Sequence, residues 1–246
     1  MWPYPKVLAH RGGGKLAPEN TLAGFRRGFE HGYRAAEFDV MLARDSTPVV
    51  MHDPHLGRTV NGTGNVFDYD AAELQQLDAG SWFGAAYADV TVPSYEAVLH
   101  FCREHGIWMN VEIKPAPGFE LDTGRVVAEV TARHFRPGDP LLPEFSSFEP
   151  AALDGARAAV PWIPRGRLFD HIPPDWLDQA RAQDVSAIHC NHLYLTPALA
   201  AAVKQAGYGL FCYTVNDPER ARVLLGWGVD AFCTDRIDLI GADFAD

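Results

Sequence analysis

Three features of the sequence predict a single α/β domain of the TIM-type (β/α)8 barrel class. Short apolar segments rich in β-branched and aromatic residues alternate with amphipathic segments, which is the pattern of repeated βα units and a parallel sheet. The length of 246 residues is typical of such a barrel. No glycine-rich dinucleotide-binding turn opens the first helix, which disfavours the alternative, an open doubly wound sheet. We therefore expect residues 1–246 to form one barrel domain.

Nine segments are predicted to be strands: 7–9, 36–40, 49–52, 107–113, 141–145, 167–169, 187–190, 209–215 and 231–234. A closed barrel needs eight strands, and the gap between the second and third segments is too short for a helical crossover. Those two segments must therefore form a hairpin, and the segment 49–52 lies outside the barrel. A turn centred on Asp45 and Ser46 would place Asp39 opposite His52.

Amphipathic helices are predicted between the strands, and the first of them spans residues 21–33. Its apolar side chains recur at spacings of three and four, so one face of the helix is expected to be buried. Asn20 or Thr21 is placed to cap its beginning, and Gly32 lies near its end.

One long segment, residues 53–93, does not follow the alternation of strands and helices. It is rich in glycine and asparagine, and it is too long for an ordinary connection within a compact domain. We expect a small insertion after the second barrel strand that packs over one mouth of the barrel.

The charge and composition exclude several classes of protein. Lys and Arg number 21 against 32 Asp and Glu, a net charge of -11, and no basic run offers a surface for nucleic acid. The four cysteines lie far apart and form no zinc or disulfide pattern. No segment approaches the roughly 18 apolar residues of a membrane span, and no targeting signal opens the chain. We expect a cytoplasmic protein without a membrane anchor, and the oligomeric state stays open.

Acidic side chains end two of the predicted strands, where barrel enzymes build their active sites. Glu37 and Asp39 are two residues apart and share one face of a strand, and Glu112 ends a nearby strand. Three such carboxylates repel one another unless they are protonated or share a cation. A hard divalent cation, Mg²⁺ or Ca²⁺, is the simplest resolution. Salt bridges to Arg11 and Lys114 are the alternative.

Two histidines are predicted near the same carboxylates. His10 and His52 each end a strand, and together they supply a proton donor and a proton acceptor near neutral pH. Arg11 offers a planar fork for a phosphate, and Lys114 offers a point charge. Acid–base groups, a Lewis-acid cation and positive side chains together indicate phosphodiester cleavage.

Several segments together resemble the signature of the glycerophosphodiester phosphodiesterase family. They are His10-Arg11-Gly12, Pro-Glu-Asn-Thr at 18–21, Glu-Phe-Asp-Val at 37–40, Val-Val-Met-His-Asp at 49–53, Leu-Gly-Arg-Thr-Val-Asn-Gly-Thr-Gly at 56–64 and Val-Glu-Ile-Lys-Pro at 111–115. Later segments agree as well, among them residues 77–83, 145–148 and 213–216. The resemblance extends over essentially the whole chain, and the ordered combination is more specific than any single motif.

The resemblance implies an enzyme that cleaves a glycerophosphodiester to glycerol 3-phosphate and an alcohol, with one divalent cation as cofactor. It assigns metal binding to Glu37, Asp39 and Glu112, acid–base catalysis to His10 and His52, and substrate binding to Arg11, Lys114 and Tyr213. Tyr213 stands where the family usually has Trp, and it preserves an aromatic shelf for the glycerol. Glu19 is expected to orient Arg11 or a neighbour.

Two alternatives share the same residues. A related enzyme would act on lysophospholipids with the same catalytic groups, and a large apolar patch near the barrel mouth would favour it. A non-catalytic barrel would only bind a phosphorylated ligand. The presence of both histidines and all three acids argues against that second alternative, because binding alone does not require an acid–base pair.

Overall fold

The computed structural model describes residues 2–245 and contains a closed parallel barrel with one additional strand. The strands are β1 Val7–His10, β2 Ala35–Leu42, β3 Pro48–Val50, β4 Trp108–Ile113, β5 Glu144–Ser147, β6 Arg165–Phe169, β7 Ala187–Asn191, β8 Gly209–Tyr213 and β9 Ala231–Thr234. Their order is β1-β9-β8-β7-β6-β5-β4-β2-β3, and the pairing of β1 with β2 closes an eight-stranded ring. β3 pairs with β2 in antiparallel fashion outside the ring. The predicted TIM-type barrel and its extra hairpin strand are confirmed.

Helices connect the strands. They are α1 Leu22–Glu30, α2 Ala71–Leu74, α3 Tyr95–Glu104, α4 Glu120–His134, α5 Pro150–Ala159, α6 Trp176–Gln183, α7 Pro197–Gln205 and α8 Pro218–Gly226. The Thr21 hydroxyl accepts a hydrogen bond from the Gly24 amide at 3.1 Å, so Thr21 rather than Asn20 caps α1. Among residues 2–245, no helix is both long enough and apolar enough to cross a bilayer.

The register of the β2–β3 hairpin differs by one residue from the prediction. The observed pairing places Met51 rather than His52 opposite Asp39, and the Met51 amide donates to the Asp39 carbonyl at 3.1 Å. The turn holds three residues, 44–46, because Ser46 adopts a left-handed conformation with φ of 62°. The predicted pairing of Asp39 with His52 is therefore wrong, and His52 lies beyond the end of β3.

The strand predicted over residues 141–145 also begins later than expected, because β5 covers Glu144–Ser147. Proline lacks the N–H that a ladder hydrogen bond requires, so Pro143 marks the boundary before the strand. The shift adds Ser146 and Ser147 to the strand, and it leaves Glu144 paired with Asn110 and Ser146 paired with Glu112 of β4.

Residues 53–93 and the β2–β3 hairpin together form one apolar cluster. Val66, Leu74 and Val92 of this segment pack with Met41 and Met51 of the hairpin, and all five are buried. The segment is thereby attached to the strands that carry the acidic residues. A separate cluster, which includes Leu8, Trp108 and Phe211, belongs to the barrel strands themselves.

Candidate active site

A cavity of about 260 Å³ brings together all eight residues that the sequence singles out. These are His10, Arg11, Glu37, Asp39, His52, Glu112, Lys114 and Tyr213. They come from the carboxyl ends of β1, β2, β4 and β8 and from the segment after β3. The cavity, called the inner chamber below, therefore lies at the end of the barrel where (β/α)8 enzymes place their chemistry.

Three carboxylates converge in the inner chamber because of the register between β2 and β4. Asp39 pairs with Glu112, and Glu37 lies on the same face of β2. Ligand oxygens of all three lie within 4.8 Å of one another. Burial raises the pKa of Glu37 to about 7 and that of Glu112 to about 8. Burial opposes ionisation of Asp39 as well, yet Lys114 and Arg11 hold its pKa below the ordinary value.

The donor atoms of this cluster fit a hard divalent cation. Three carboxylates supply oxygens only, which Mg²⁺ and Ca²⁺ prefer. The buried Asn110 Oδ1 lines the same chamber and has no hydrogen-bond partner among residues 2–245, so a further oxygen is available. Cys233 also lies near Glu37, but burial raises the pKa of its thiol well above the ordinary value. A protonated thiol is a poor ligand, so the all-oxygen set suits a metal better.

The basic side chains contact the same carboxylates. Lys114 Nζ lies 3.4 Å from Asp39 and 3.8 Å from Glu112. Arg11 Nε lies 3.7 Å from Asp39, and the Arg11 backbone adopts a left-handed conformation with φ of 50°. Such a conformation is uncommon outside glycine and is typical of functional sites. The salt bridges considered as an alternative to a metal are therefore present, and they leave Glu37 and Glu112 with raised pKa values.

Each of the two histidines has an aspartate on its Nδ1 atom. His10 Nδ1 lies 2.6 Å from Asp235, and His52 Nδ1 lies 2.6 Å from Asp53. An aspartate at Nδ1 fixes the orientation and tautomer of the ring, so Nε2 is the nitrogen available for proton exchange. His10 Nε2 lies 3.6 Å from Glu37.

The surroundings of the two histidines shift their pKa values in opposite directions. Burial lowers the pKa of His10, but the hydrogen bond to Asp235 and the charge of Glu37 outweigh burial and raise it above the ordinary value. Burial also lowers the pKa of His52, and there it prevails: Lys114 and Arg11 add to it, while Asp39 opposes it. The cavity thus holds two imidazoles with different proton affinities.

Arg58 of the insertion connects the His52 side of the chamber to Arg11. Its Nη1 and Nη2 atoms donate to the two Glu19 oxygens at 3.0 and 2.7 Å, and its Nε donates to Asp53. Glu19 in turn accepts from Arg11 Nη1 at 2.7 Å. Glu19 is therefore placed to orient Arg11, the first of the two possibilities predicted from the sequence, which were Arg11 or a neighbour.

Two aromatic rings, those of Phe148 and Tyr213, line the inner chamber together with the charged groups. The Tyr213 ring lies edge-on to Phe148, with centroids 5.9 Å apart, and its hydroxyl donates to the Phe169 carbonyl at 2.8 Å. Burial raises the pKa of Tyr213, so the phenol is uncharged. The Tyr213 and Phe148 rings therefore offer apolar surface within the same chamber as the charged groups.

Four residues of this arrangement were not identified as site residues from the sequence: Asp53, Arg58, Asn110 and Asp235. Asp235 follows β9, so the same strand-end rule that selects His10 also points to it. Asn110 lies two residues before Glu112 and on the same face of β4. Arg58 carries no such signal, because its contacts depend on how residues 53–93 fold.

The fold and the chamber define a TIM-barrel enzyme of the phosphoric diester hydrolase class. A family model described as the glycerophosphoryl diester phosphodiesterase family matches residues 10–239. The chain belongs to that family. The match begins at His10 and includes all eight residues of the inner chamber.

Relatives and solved structures agree with this membership. A glycerophosphodiester phosphodiesterase of Caldanaerobacter subterraneus is 31% identical, and the similarity extends over 93% of this chain and 93% of its own. The Bacillus subtilis protein YhdW is 32% identical over 96% of this chain and 97% of its own. A phosphodiesterase of Oleispira antarctica, solved in complex with the product sn-glycerol-3-phosphate, is 37% identical, with a TM-score of 0.91 over 96% of this chain and 95% of its own.

Proposed function

We propose that this chain hydrolyses glycerophosphodiesters to sn-glycerol 3-phosphate and an alcohol, with one divalent cation and two histidines. The observation that carries the proposal is the pair of histidines, each held by its own aspartate, in one chamber with three converging carboxylates. The family and the product complex of the Oleispira antarctica relative support the choice of substrate.

Glu37, Asp39 and Glu112 would hold the cation, Mg²⁺ or Ca²⁺. When bound, it supplies a positive charge that polarises a phosphoryl oxygen. The raised pKa values of Glu37 and Glu112 support this role, because a cation among buried carboxylates favours their ionised forms.

Arg11 and Lys114 bind the phosphate of the substrate. The Arg11 guanidinium presents a planar fork, which matches two phosphate oxygens, while Lys114 contributes a point charge from the β4 side. Glu19 restricts the Arg11 side chain through the hydrogen bond at Nη1, and the Arg11 Nε atom, buried and without a hydrogen bond, is available to the ligand. The glycerol carbons pack against Tyr213.

His10 and His52 carry out the proton transfers. One imidazole accepts the proton of the attacking hydroxyl, which belongs to water or to the substrate's own glycerol. The other donates a proton to the leaving alcohol oxygen as its bond to phosphorus breaks. Asp235 and Asp53 keep Nδ1 of each ring occupied, so both transfers use Nε2.

The test is release of glycerol 3-phosphate from a panel of glycerophosphodiesters, with and without chelator, by the wild type and by His10→Ala. The exposed His31→Ala, on the end of α1, is the matched control. We expect a loss of kcat of at least about 100-fold in His10→Ala, because one positioned acid–base group contributes roughly 100- to 10,000-fold. Metal binding should persist in this variant. Hydrolysis by His10→Ala at the wild-type rate would contradict the assigned role.

A second candidate is hydrolysis of lysophospholipids, and one observation favours it. Exposed apolar side chains lie on the insertion and on segments that follow strand ends, namely Phe67, Trp82, Phe119, Leu121, Phe148, Leu193 and Tyr194. Phe67 and Phe119 line a cavity of about 190 Å³, which could accept part of an acyl chain. Higher kcat/KM on a monoacyl substrate than on its deacylated counterpart, lost in Phe119→Ala, is the result that would select this candidate.

A further inference from the structure

The inner chamber is adjoined by a second cavity. This outer chamber of about 300 Å³ is lined by His10, Arg11, Gly14, Lys15, Glu19, Trp82, Phe83 and Asp235. His10 and Arg11 line both chambers, and His52 and Tyr213 line only the inner one of the two. A phosphodiester held at Arg11 therefore has room for one ester group on each side of its phosphorus.

The aromatic wall of the outer chamber comes from the insertion and is fixed in place. Trp82 contacts Phe83 edge-on at 5.6 Å, and the Trp82 indole N–H donates to the Ala79 carbonyl at 3.0 Å. Phe83 contacts Tyr87 at 5.4 Å, and the Tyr87 hydroxyl donates to the Leu16 carbonyl at 3.4 Å. The wall is thus tied to the connection between β1 and α1.

The opposite side of the outer chamber depends on a close backbone approach. A Cβ atom at Gly14 would lie 2.3 Å from the Asp235 carbonyl oxygen, and Gly14 has φ of 53°. Only glycine fits at this position without rearrangement. The next residue, Lys15, donates its amide to the same carbonyl at 2.8 Å, which fixes the starting point of its side chain at the rim.

Within the described part of the chain, the outer chamber has an unpaired positive charge, which disfavours a cationic ligand. Glu19 is occupied by Arg11 and Arg58, and Asp235 is occupied by His10. Among residues 2–245, no hydrogen bond or ion pair engages the Lys15 ammonium. The charge left free to meet a ligand is therefore positive.

We propose that the outer chamber binds the leaving alcohol and selects a hydroxylated head group without positive charge, such as inositol or glycerol, over choline. This inference rests on the proposed function. The carbon face of a polyol packs against Trp82 and Phe83, and its hydroxyls accept hydrogen bonds from Lys15. A quaternary ammonium would gain a cation–π attraction to these rings that a polyol lacks, but it is repelled by Lys15 and by the Arg11 guanidinium, which both line the chamber.

The first test compares kcat/KM for glycerophosphoinositol and glycerophosphocholine, measured as glycerol 3-phosphate released. We expect the wild type to favour the inositol ester. Reversal of one nearby charge, in Lys15→Glu, should shift the ratio toward choline by roughly five- to tenfold, the Coulomb estimate for charges about 7 Å apart in water. Lys6→Glu makes the same change in net charge at the amino end of β1, outside both chambers, and should leave the ratio unchanged.

The second test removes the aromatic wall. Trp82→Ala should raise KM for both substrates by about three- to tenfold, the value of one stacked aromatic contact. Val223→Ala, which truncates an exposed apolar side chain on α8 that lines neither chamber, is the control. A wild type that favours choline, or a substrate ratio and KM that neither Lys15→Glu nor Trp82→Ala changes, overturns the subsite. Absence of hydrolysis of every diester by the wild type would instead overturn the proposed function.

Discussion

Replacement of Asp235 by Asn should impair catalysis through the tautomer of His10. Asp235 Oδ1 lies 2.6 Å from His10 Nδ1, and its Oδ2 accepts from Asn216 Nδ2 at 2.9 Å. The Asn216 amide cannot turn over, because its oxygen accepts from the Asp235 amide at 2.8 Å. The new side chain in Asp235→Asn must therefore direct its oxygen to Asn216 and its NH₂ group to His10. His10 Nδ1 then becomes an acceptor, and the proton of the neutral ring moves to Nε2.

The size of the effect follows from the pKa of Asp235. Burial opposes its ionisation, but the hydrogen bond from His10 prevails and lowers the pKa from 3.8 to about 2. A shift of this size corresponds to roughly 2 kcal/mol of interaction with the charged carboxylate. A hydrogen bond to a charged group contributes about 1.5–3 kcal/mol, so we expect kcat to fall by roughly 10- to 100-fold.

The assay is steady-state release of glycerol 3-phosphate by wild type, Asp235→Asn and Asp238→Asn. Asp238 is a neighbouring aspartate that pairs with Arg236 and does not line either chamber. KM should change little, because asparagine keeps the size of the side chain that lines the outer chamber. A kcat for Asp235→Asn equal to that of Asp238→Asn would refute the positioning role.

The same variant has a defined pH dependence of stability. Because the folded-state pKa of Asp235 is lower than the unfolded value, its contribution is fully present above about pH 4 and is lost as the pH falls toward 2. The free energy of unfolding of Asp235→Asn should lie about 2 kcal/mol below wild type at pH 6 and approach it near pH 2. Urea denaturation at both pH values measures the difference, and a constant gap contradicts the sign.

Three further predictions concern other parts of the site. Arg58→Ala frees Glu19 from one of its two arginines, so kcat/KM should fall about tenfold, the value of one charge-assisted hydrogen bond. Arg58→Lys should restore part of the loss. Unchanged kinetics would show that the contact of Arg58 with Glu19 does not support catalysis. Glu112→Gln removes one of three carboxylates, so the affinity for Mg²⁺ or Ca²⁺, measured by calorimetry, should fall at least about tenfold. An unchanged affinity would show that Glu112 does not bind the metal. Gly166→Ala places a methyl group 2.4 Å from His189 Nε2, so the free energy of unfolding in urea should fall by about 1–3 kcal/mol, and an unchanged midpoint would show that the ring moves aside.

Much of the fold could be predicted because each βα unit leaves a local signal. Alternation of apolar segments and a count of strands were sufficient for the barrel and for the strand outside it. The hairpin register was wrong because it depends on a single backbone conformation, that of Ser46, which sequence pattern does not specify. Glycine at this position would have indicated a left-handed residue, and serine gives no comparable indication.

The candidate site was predictable to the extent that its residues follow strand ends. His10, Glu37 and Glu112 belong to a repeated pattern, and the parallel register brings them together. The ion pairs behind them were not predictable, because Arg58 reaches Glu19 across 39 residues of chain. Periodicity carries no information about such long-range contacts.

The buried pair of His189 and Glu144 shows the same limit. Their side chains meet at 3.2 Å although 45 residues separate them, and Gly166 leaves the space that the imidazole occupies. In the sequence His189 has no apparent partner, so it could not be assigned a role. Its partner became apparent only from the packing of β5, β6 and β7.

The central claim, a metal-assisted phosphodiesterase that uses His10 and His52, is tested most directly by one measurement. Glycerol 3-phosphate release from a glycerophosphodiester is followed in chelator-treated protein before and after addition of Mg²⁺ or Ca²⁺. The account predicts no release without the cation and full recovery with one of the two. Undiminished hydrolysis in the presence of chelator, or no hydrolysis with either ion, would contradict it.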